Sequence, residues 1–430
     1  MGLREKILDR SAKVGVLGLG YVGLPLAVEF AKAGFGVFGI DVDADRVSRI
    51  LAGNSYIQDV PAKVLGELVS SRKLTATTDY RVLREIDAVS ICVPTPLRKT
   101  RDPDIQYIAD ATSKIRECLH KDMLITLEST TYPGTTDEVL LPEFRAAGFE
   151  VGKDLYLAFS PERIDPGNPQ WNTRNTPKII GGVTANCTIL SKLLYEQVIE
   201  RVIPVSSTKS AEMVKLLENT FRAVNIGLVN EIAIMCDKLG IGVWEVIEAA
   251  ATKPFGFMPF FPGPGLGGHC IPIDPLYLSW KLKLLNYNAR FIELASEVNT
   301  HMPEYVTNKI ARSLNRCKKA VNGSRILILG VAYKRNISDI RESPSLDIIR
   351  LLHKDGAELH YSDPYAPELR LEDTVLRSEK ITAEMLRSYD CVVVVTDHTA
   401  IDYDWVARES QLVIDCRNAI RNGGPNVVKL

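Results

Sequence analysis

The apolar run Val14–Leu17 leads directly into Gly18-Leu19-Gly20-Tyr21-Val22-Gly23, and an amphipathic stretch, Leu24–Ala33, follows without a break. Few folds place three glycines at that spacing between a strand and a helix. The first gives a tight turn, the second lets a pyrophosphate approach the backbone, and the third lets the helix pack against the strand. The helix N-terminus adds unpaired N–H groups and the positive end of its dipole. Asp41 closes the next apolar run, Val37–Ile40, where a carboxylate accepts hydrogen bonds from a ribose hydroxyl. A carboxylate there repels a 2′-phosphate, so the pattern predicts NAD rather than NADP. The alternative is a glycine-rich turn that binds nothing; strand, turn, helix and acid in register argue against it.

The same rhythm continues along the chain. Ala88–Val93, Met123–Leu127, Tyr156–Phe159, Lys178–Val183 and Arg201–Val205 read as buried strands, with room between them for crossover helices. This predicts a parallel sheet covered on both faces, spanning residues 1–207. From Ser210 to Gly240, residues Val214, Leu217, Phe221, Val224, Leu228, Ile232 and Met235 recur every three or four positions, a long amphipathic helix. Val243–Ala251, Pro275–Leu285 and Arg290–Arg316 extend this helical connector to residue 321, interrupted by a loop rich in glycine and proline from Lys253 to Asp274. A second α/β pattern fills residues 322–430, with strands at Arg325–Leu329, Glu358–Tyr361, Cys391–Thr396 and Leu412–Asp415. The expected fold class is α/β: two Rossmann-like parallel-sheet domains joined by a long central helix and helical connector.

Charge is balanced, 52 Lys+Arg against 53 Asp+Glu over 430 residues, which argues against a nucleic-acid or membrane-surface binder. The eight cysteines contain no CxxC pair, a pattern unsuited to a disulfide framework or a zinc site, so no metal is expected. The first residues lack an apolar signal core, and no run of about 18 apolar residues exists to span a bilayer. These features predict a reduced, cytoplasmic, soluble protein.

Chemistry concentrates in a few places. Thr95, in Val93-Pro94-Thr95-Pro96, and Thr131, in Ser129-Thr130-Thr131, end two strands where an open parallel sheet forms its ligand crevice; isolated threonines there are otherwise turn formers. The loop Pro262–Pro275 contains Gly263, Gly265, Gly267 and Gly268 ahead of His269 and Cys270. Glycine backbones present N–H groups to anions, and a thiol in such a loop reads as reactive rather than as a small buried hydrophobe. Asp274 before Pro275 reads first as a helix N-cap, able also to order a water; His269 reads as structural. Lys215, Asn219 and Arg222 share one face of the long helix, either its solvated side or the wall of a cleft. Glu162, in Ser160-Pro161-Glu162-Arg163, ends another strand. In the second α/β pattern Gly330-Val331-Ala332-Tyr333-Lys334 lacks the fingerprint, and Lys334 either meets an anion or is a solvated surface lysine.

Together these segments resemble the UDP-glucose/GDP-mannose dehydrogenase family over nearly the full length. The residues that carry the resemblance are Gly18–Gly23, Ser160-Pro161-Glu162-Arg163, Lys215-xxx-Asn219, Gly267-Gly268-His269-Cys270 with Asp274, and Tyr333-Lys334 followed by Asp339-x-Arg341-Glu342-Ser343. Within the family, Thr252-Lys253-Pro254-Phe255-Gly256-Phe257 is similar to the UDP-N-acetylglucosamine 6-dehydrogenase branch. The arginine of the UDP-glucose enzymes and the His-x-Arg of the UDP-N-acetylmannosamine branch are both missing between Lys253 and Cys270.

The resemblance implies oxidation of the C6 alcohol of a nucleotide sugar to a carboxylate, with two NAD⁺ and one water. A water held by Lys215 and Asp274 helps remove the hydroxyl proton, while Asn219 and Thr131 shape the site. Cys270 captures the aldehyde as a thiohemiacetal and then carries a thioester, which a water activated by Glu162 hydrolyses. Gly18, Gly20, Tyr21, Val22, Gly23, Asp41, Arg46, Thr95, Thr131 and Arg341 would hold the cofactor. Glu162, Arg163, Lys215, Asn219, Arg222, Gly265, Gly267, Lys334 and Arg417 would hold the UDP-sugar. The family habit implies a homodimer or higher homo-oligomer that supplies a surface-polysaccharide precursor. A two-electron NAD dehydrogenase would leave Cys270 and the last domain without purpose, and a non-catalytic NAD sensor would bind without turnover.

Overall fold

The computed structural model describes residues 2–430 except 58, 99–101, 166, 167, 169, 269, 372 and 373, and the backbone alone of Thr374. The chain divides into two compact units, Met1–Glu218 with Leu276–Tyr287, and Asn219–Pro275 with Asn288–Leu430.

The first unit is built on strands β1 (Lys13–Leu17), β2 (Gly36–Ile40), β3 (Leu74–Thr77), β4 (Ala88–Ile91), β5 (Met123–Leu127), β6 (Leu155–Phe159), β7 (Lys178–Gly182) and β8 (Val202–Val205). They form one sheet in the order β3-β2-β1-β4-β5-β6-β7-β8. Successive side chains enter opposite cores: Val14, Val16 and Leu124 join one cluster, while Leu17, Met123, Ile125 and Leu127 join the other. Burial on both faces explains why these strands read as continuous apolar runs. Two features depart from the sequence reading. The pair β6–β7 is antiparallel, Phe159 opposite Gly181, and β3 adds an edge strand beside β2. The charged leader also forms a short helix, Leu3–Leu8, that buries Leu3 and Ile7.

The long helix runs from Thr208 to Leu239, and the division between the units falls within it. Its expected apolar stripe is not the buried face: Leu217, Phe221, Leu228 and Met235 are exposed and Val214, Val224 and Ile232 half-buried, whereas Leu216, Ala223, Val229, Ala233 and Cys236, outside that stripe, are enclosed. Two apolar faces on one helix give a periodicity that cannot reveal which face the protein covers.

In the second unit β9 (Arg325–Leu329), β10 (Glu358–Ser362), β13 (Cys391–Val394), β14 (Val413–Asp415) and β15 (Val427–Lys429) form a parallel sheet in the order β10-β9-β13-β14-β15. A hairpin of β11 (Glu368–Leu371) and β12 (Thr374–Arg377) pairs separately. Ile326, Ile328, Cys391 and Val393 point to one core, Leu327, Leu329, Val392 and Val394 to the other. Helix Arg290–Arg316 buries Met302, Val306, Ile310 and Leu314 against the first of these.

Candidate active site

In the first unit β1 ends at Gly18, whose φ of +87° only glycine adopts easily; a Cβ there would lie 2.6 Å from the Cys92 carbonyl oxygen. Helix Gly23–Lys32 then begins, and a Cβ on Gly23 would lie 1.9 Å from the Gly18 carbonyl oxygen. Among the described residues, nothing lies within 4 Å of where a Cβ on Gly20 would be. Two glycines are thus required by the protein's own backbone, and the third opens onto free space, the approach a pyrophosphate needs. Val22 holds the N-cap position and Tyr21 is exposed. These residues fit a dinucleotide.

Asp41 follows β2 and is buried. Its carboxylate accepts the Leu19 N–H at 2.8 Å and the Asp43 N–H at 2.9 Å, with the Arg46 guanidinium 3.5 Å away. It therefore shapes the glycine turn. Tyr56 donates to the Leu19 carbonyl at 2.6 Å; burial, reinforced by Asp41, pushes its hydroxyl up to about 12. Thr95 is buried and its carbonyl accepts from the Tyr277 hydroxyl. Thr131 is buried too, its hydroxyl 2.7 Å from that of Thr135.

Beyond β6, Glu162 accepts the backbone N–H groups of Arg163 (2.7 Å) and Ile164 (2.8 Å) on one oxygen. Its other oxygen lies 3.7 Å from Lys178 Nζ. Arg163 is held internally by Glu218 at 2.6 Å and by the Pro177 carbonyl at 2.6 Å, so its role toward a diphosphate would require leaving these partners. Lys215 is buried rather than solvated, which removes the bland reading of the polar helix stripe at that position; Arg222 is exposed. Sequence reasoning missed Glu128, Lys178 and Tyr195, a buried polar group whose members are far apart in the chain, and Glu212, which accepts the Gly134 and Thr136 N–H groups at 2.5 and 2.9 Å.

In the second unit Cys270 is exposed. Its carbonyl accepts the Asp274 N–H at 2.8 Å, and Asp274 is the first residue of helix Asp274–Lys283 rather than a residue before it. Its carboxylate accepts the Asn219 amide at 2.5 Å. Hydrogen bonds therefore join the thiol loop to Asp274 and Asp274 to Asn219 of the long helix. The loop glycines are forced by close packing: a Cβ on Gly267 would meet Tyr333 at 2.6 Å, and Gly268, at φ +82°, donates to the Arg341 carbonyl at 3.0 Å. Gly265 has φ +135°. Gly263 donates to Asn230 at 2.9 Å and lies against the Arg417 guanidinium. Arg417 donates to the Val395 carbonyl at 2.8 Å, and burial lowers its proton affinity. The Arg341 guanidinium pairs with Asp339 at 2.6 Å, and Lys334 is half-buried. His269 lies outside the described residues.

A glycine turn shaped for a dinucleotide on one sheet, and in the same chain an exposed thiol close in sequence to a held carboxylate, define an NAD-dependent oxidoreductase. Comparison with known proteins gives the family. The NAD binding, central and UDP binding domains of the UDP-glucose/GDP-mannose dehydrogenase family match residues 12–199, 209–301 and 327–422 respectively. The chain belongs to that family of NAD-dependent nucleotide-sugar dehydrogenases. It is 35% identical over 423 residues to the UDP-N-acetyl-D-mannosamine dehydrogenase of Methanococcus maripaludis strain C7, covering 95% of this chain and 93% of the relative. It is also 35% identical over 390 residues to the UDP-N-acetyl-D-glucosamine 6-dehydrogenase of Salmonella typhi, covering 90% of each. The solved UDP-D-ManNAc dehydrogenase of Pyrococcus horikoshii superposes with a TM-score of 0.89 at 32% identity, over 97% of this chain and 98% of that one. Among the described residues, no helix is long and apolar enough to cross a membrane, and no group of three or more His, Cys, Asp or Glu side chains is placed to hold a metal ion.

Proposed function

We propose that this protein oxidises the C6 hydroxyl of UDP-N-acetylglucosamine to the carboxylate, consuming two NAD⁺ and one water, with Cys270 as the covalent nucleophile, as a precursor step for a surface polysaccharide. The observation that carries it is the exposed Cys270 in a glycine loop, four residues before an Asp274 carboxylate fixed by Asn219. NAD, held by Gly18–Gly23, Asp41, Arg46, Thr95 and Thr131, would supply the hydride acceptor for both two-electron steps.

The remaining chemistry belongs to the chain. Asp274, oriented by Asn219, orders the water that takes the hydroxyl proton. Lys215 stabilises the oxyanion that develops as charge moves onto oxygen. Cys270 adds as thiolate to the aldehyde carbon, which divides a four-electron oxidation and prevents escape of the aldehyde. Glu162 activates the water that hydrolyses the thioester. Arg163, Arg222, Lys334 and Arg417 neutralise the diphosphate, Gly265 and Gly267 contact the sugar nucleotide through backbone, and Arg341 serves the cofactor. The working assignment of domains is 1–207 for NAD, 208–321 for the thiol loop and self-association through the long helix, and 322–430 for the UDP-sugar.

The N-acetylglucosamine assignment rests on Thr252–Phe257. A second reading, UDP-N-acetylmannosamine, is favoured by the equally similar relatives that bear that name. NADH release measured with UDP-N-acetylglucosamine, UDP-N-acetylmannosamine, UDP-glucose and GDP-mannose separates them. The expected result is two NADH per UDP-N-acetylglucosamine; one NADH per sugar would contradict the four-electron reading.

A further inference from the structure

Lys178 opens β7 with its side chain only 6% exposed, and its Nζ lies between two carboxylates, 2.7 Å from Glu128 and 3.7 Å from Glu162. Burial disfavours its charge, but the two carboxylates outweigh that and raise its proton affinity, so it is held as a cation. Glu128, just after β5, is fully enclosed and accepts a hydrogen bond from the Tyr195 hydroxyl, which lies 2.9 Å from Ser90 Oγ. Charged groups taken out of water cost stability even when paired, and apolar side chains would tie these strands together as well.

The group is lopsided in a way that pure packing does not require. Glu128 is sealed inside. Glu162 stands at the edge, its side chain 12% exposed, one oxygen fixed by two backbone N–H groups and the other near Lys178. Glu162, Lys178 and Thr176 line a cleft of about 10 Å³, room for about one water. Thr176 has a buried hydroxyl with no hydrogen-bond partner among the described residues.

We propose that Lys178, itself braced by Glu128 and Tyr195, is the positioning residue that holds Glu162 in place for thioester hydrolysis; this rests on the reading of Glu162 as the group that activates water. In that step the water oxygen bonds to the thioester carbonyl carbon, the C–S bond breaks, Cys270 departs as thiolate, and Glu162 takes the water proton. Lys178 acts through Glu162, not on substrate. Without it, the Glu162 oxygen that does not hold the backbone N–H groups loses the cation linking it to Glu128. Cys92 is an ionisable neighbour of both Glu128 and Glu162, while Arg163 beside Glu162 is paired with Glu218.

The test uses the full-length enzyme with NAD and whichever UDP-N-acetylhexosamine it oxidises, and follows pre-steady-state NADH release, the thioester adduct by intact mass, and kcat and KM separately. Glu162→Gln should slow hydrolysis about 100-fold and accumulate adduct. Lys178→Met with Glu128→Gln removes one cation and one anion together, so the enclosed Glu128 charge is not left without its partner. This double variant should melt like wild type, keep its KM, hydrolyse the thioester several-fold more slowly and accumulate adduct. Lys178→Gln should show the same slowing and the same adduct, and Lys178→Arg should stay near wild type. If Glu162→Gln accumulates adduct while Lys178→Gln and the double variant hydrolyse the thioester at the wild-type rate and show no adduct, the positioning role is overturned and the Glu162 reading stands. If Glu162→Gln hydrolyses at the wild-type rate, both fall.

Discussion

The two parallel sheets begin alike and then diverge. β1 and β9 are each followed by a glycine with φ near +80°, Gly18 at +87° and Gly330 at +80°. At each, a Cβ would strike a carbonyl of the neighbouring segment, Cys92 at 2.6 Å and Thr396 at 2.3 Å. After each following strand an aspartate accepts the turn's backbone N–H groups, Asp41 from Leu19 and Asp363 from Val331 and Ala332. In the first unit a helix starts at Gly23 and Gly20 opens onto space. In the second, Val331 and Ala332 are buried, His398 lies 3.0 Å from Asp363, and the next helix starts only at Pro344. The same turn therefore opens onto space in one unit and serves internal packing in the other.

Gly23→Val should separate the two most sharply. Its side chain has no room beside the Gly18 carbonyl, so NAD affinity measured by calorimetry should fall about 100-fold, or about 3 kcal/mol. Gly330→Val should lower the melting temperature yet leave NAD affinity within about twofold; an equal loss of NAD binding would erase the distinction. Next comes Asp363→Ala, which strips the acceptor from the N–H groups of Val331, Ala332, Tyr365 and Ala366 and should cost about 2–3 kcal/mol in denaturant unfolding.

The same aspartate sets a pH dependence. Burial alone would raise Asp363, but hydrogen bonds from His398 and from the Tyr365 and Ala332 amides outweigh it and hold it below the usual carboxylate value. A depressed carboxylate contributes stability that is full above the unfolded value of about 3.9 and is lost as acid takes the pH lower. Wild type should therefore lose stability more steeply than Asp363→Ala below about pH 4; parallel acid curves would contradict this. A smaller effect is expected at Asp41→Ala, about tenfold in NAD affinity and less in UDP-sugar affinity, by calorimetry. Gly20→Ala should be mildest: a melting temperature close to wild type, because none of the described residues lies within 4 Å of the added Cβ, with NAD binding weakened only several-fold.

What was legible in the sequence was local. The turn Gly18–Gly23, Asp41 and the buried strands announce themselves because each requirement is met by neighbours in the chain. The antiparallel pairing of β6 with β7 was not legible, since strand direction is decided by distant partners. Nor was β3, a four-residue edge strand whose burial alternates, B-i-B-i, without an apolar run. Lys178 read as the first residue of a strand; its partner Glu128 is 50 positions away. The stripe Leu217, Phe221, Leu228 and Met235 was legible as apolar but not as exposed. Asp274 read as a cap, and only the fold shows Asn219 gripping its carboxylate.

The central claim is that Cys270 carries the sugar covalently while the glycine turn independently holds NAD. Intact-mass analysis of the Cys270→Ser enzyme after incubation with NAD and UDP-sugar, alongside calorimetry with NAD, tests it directly. The account predicts wild-type NAD affinity, no thioester adduct and no uronate product; normal uronate formation by this variant would contradict it.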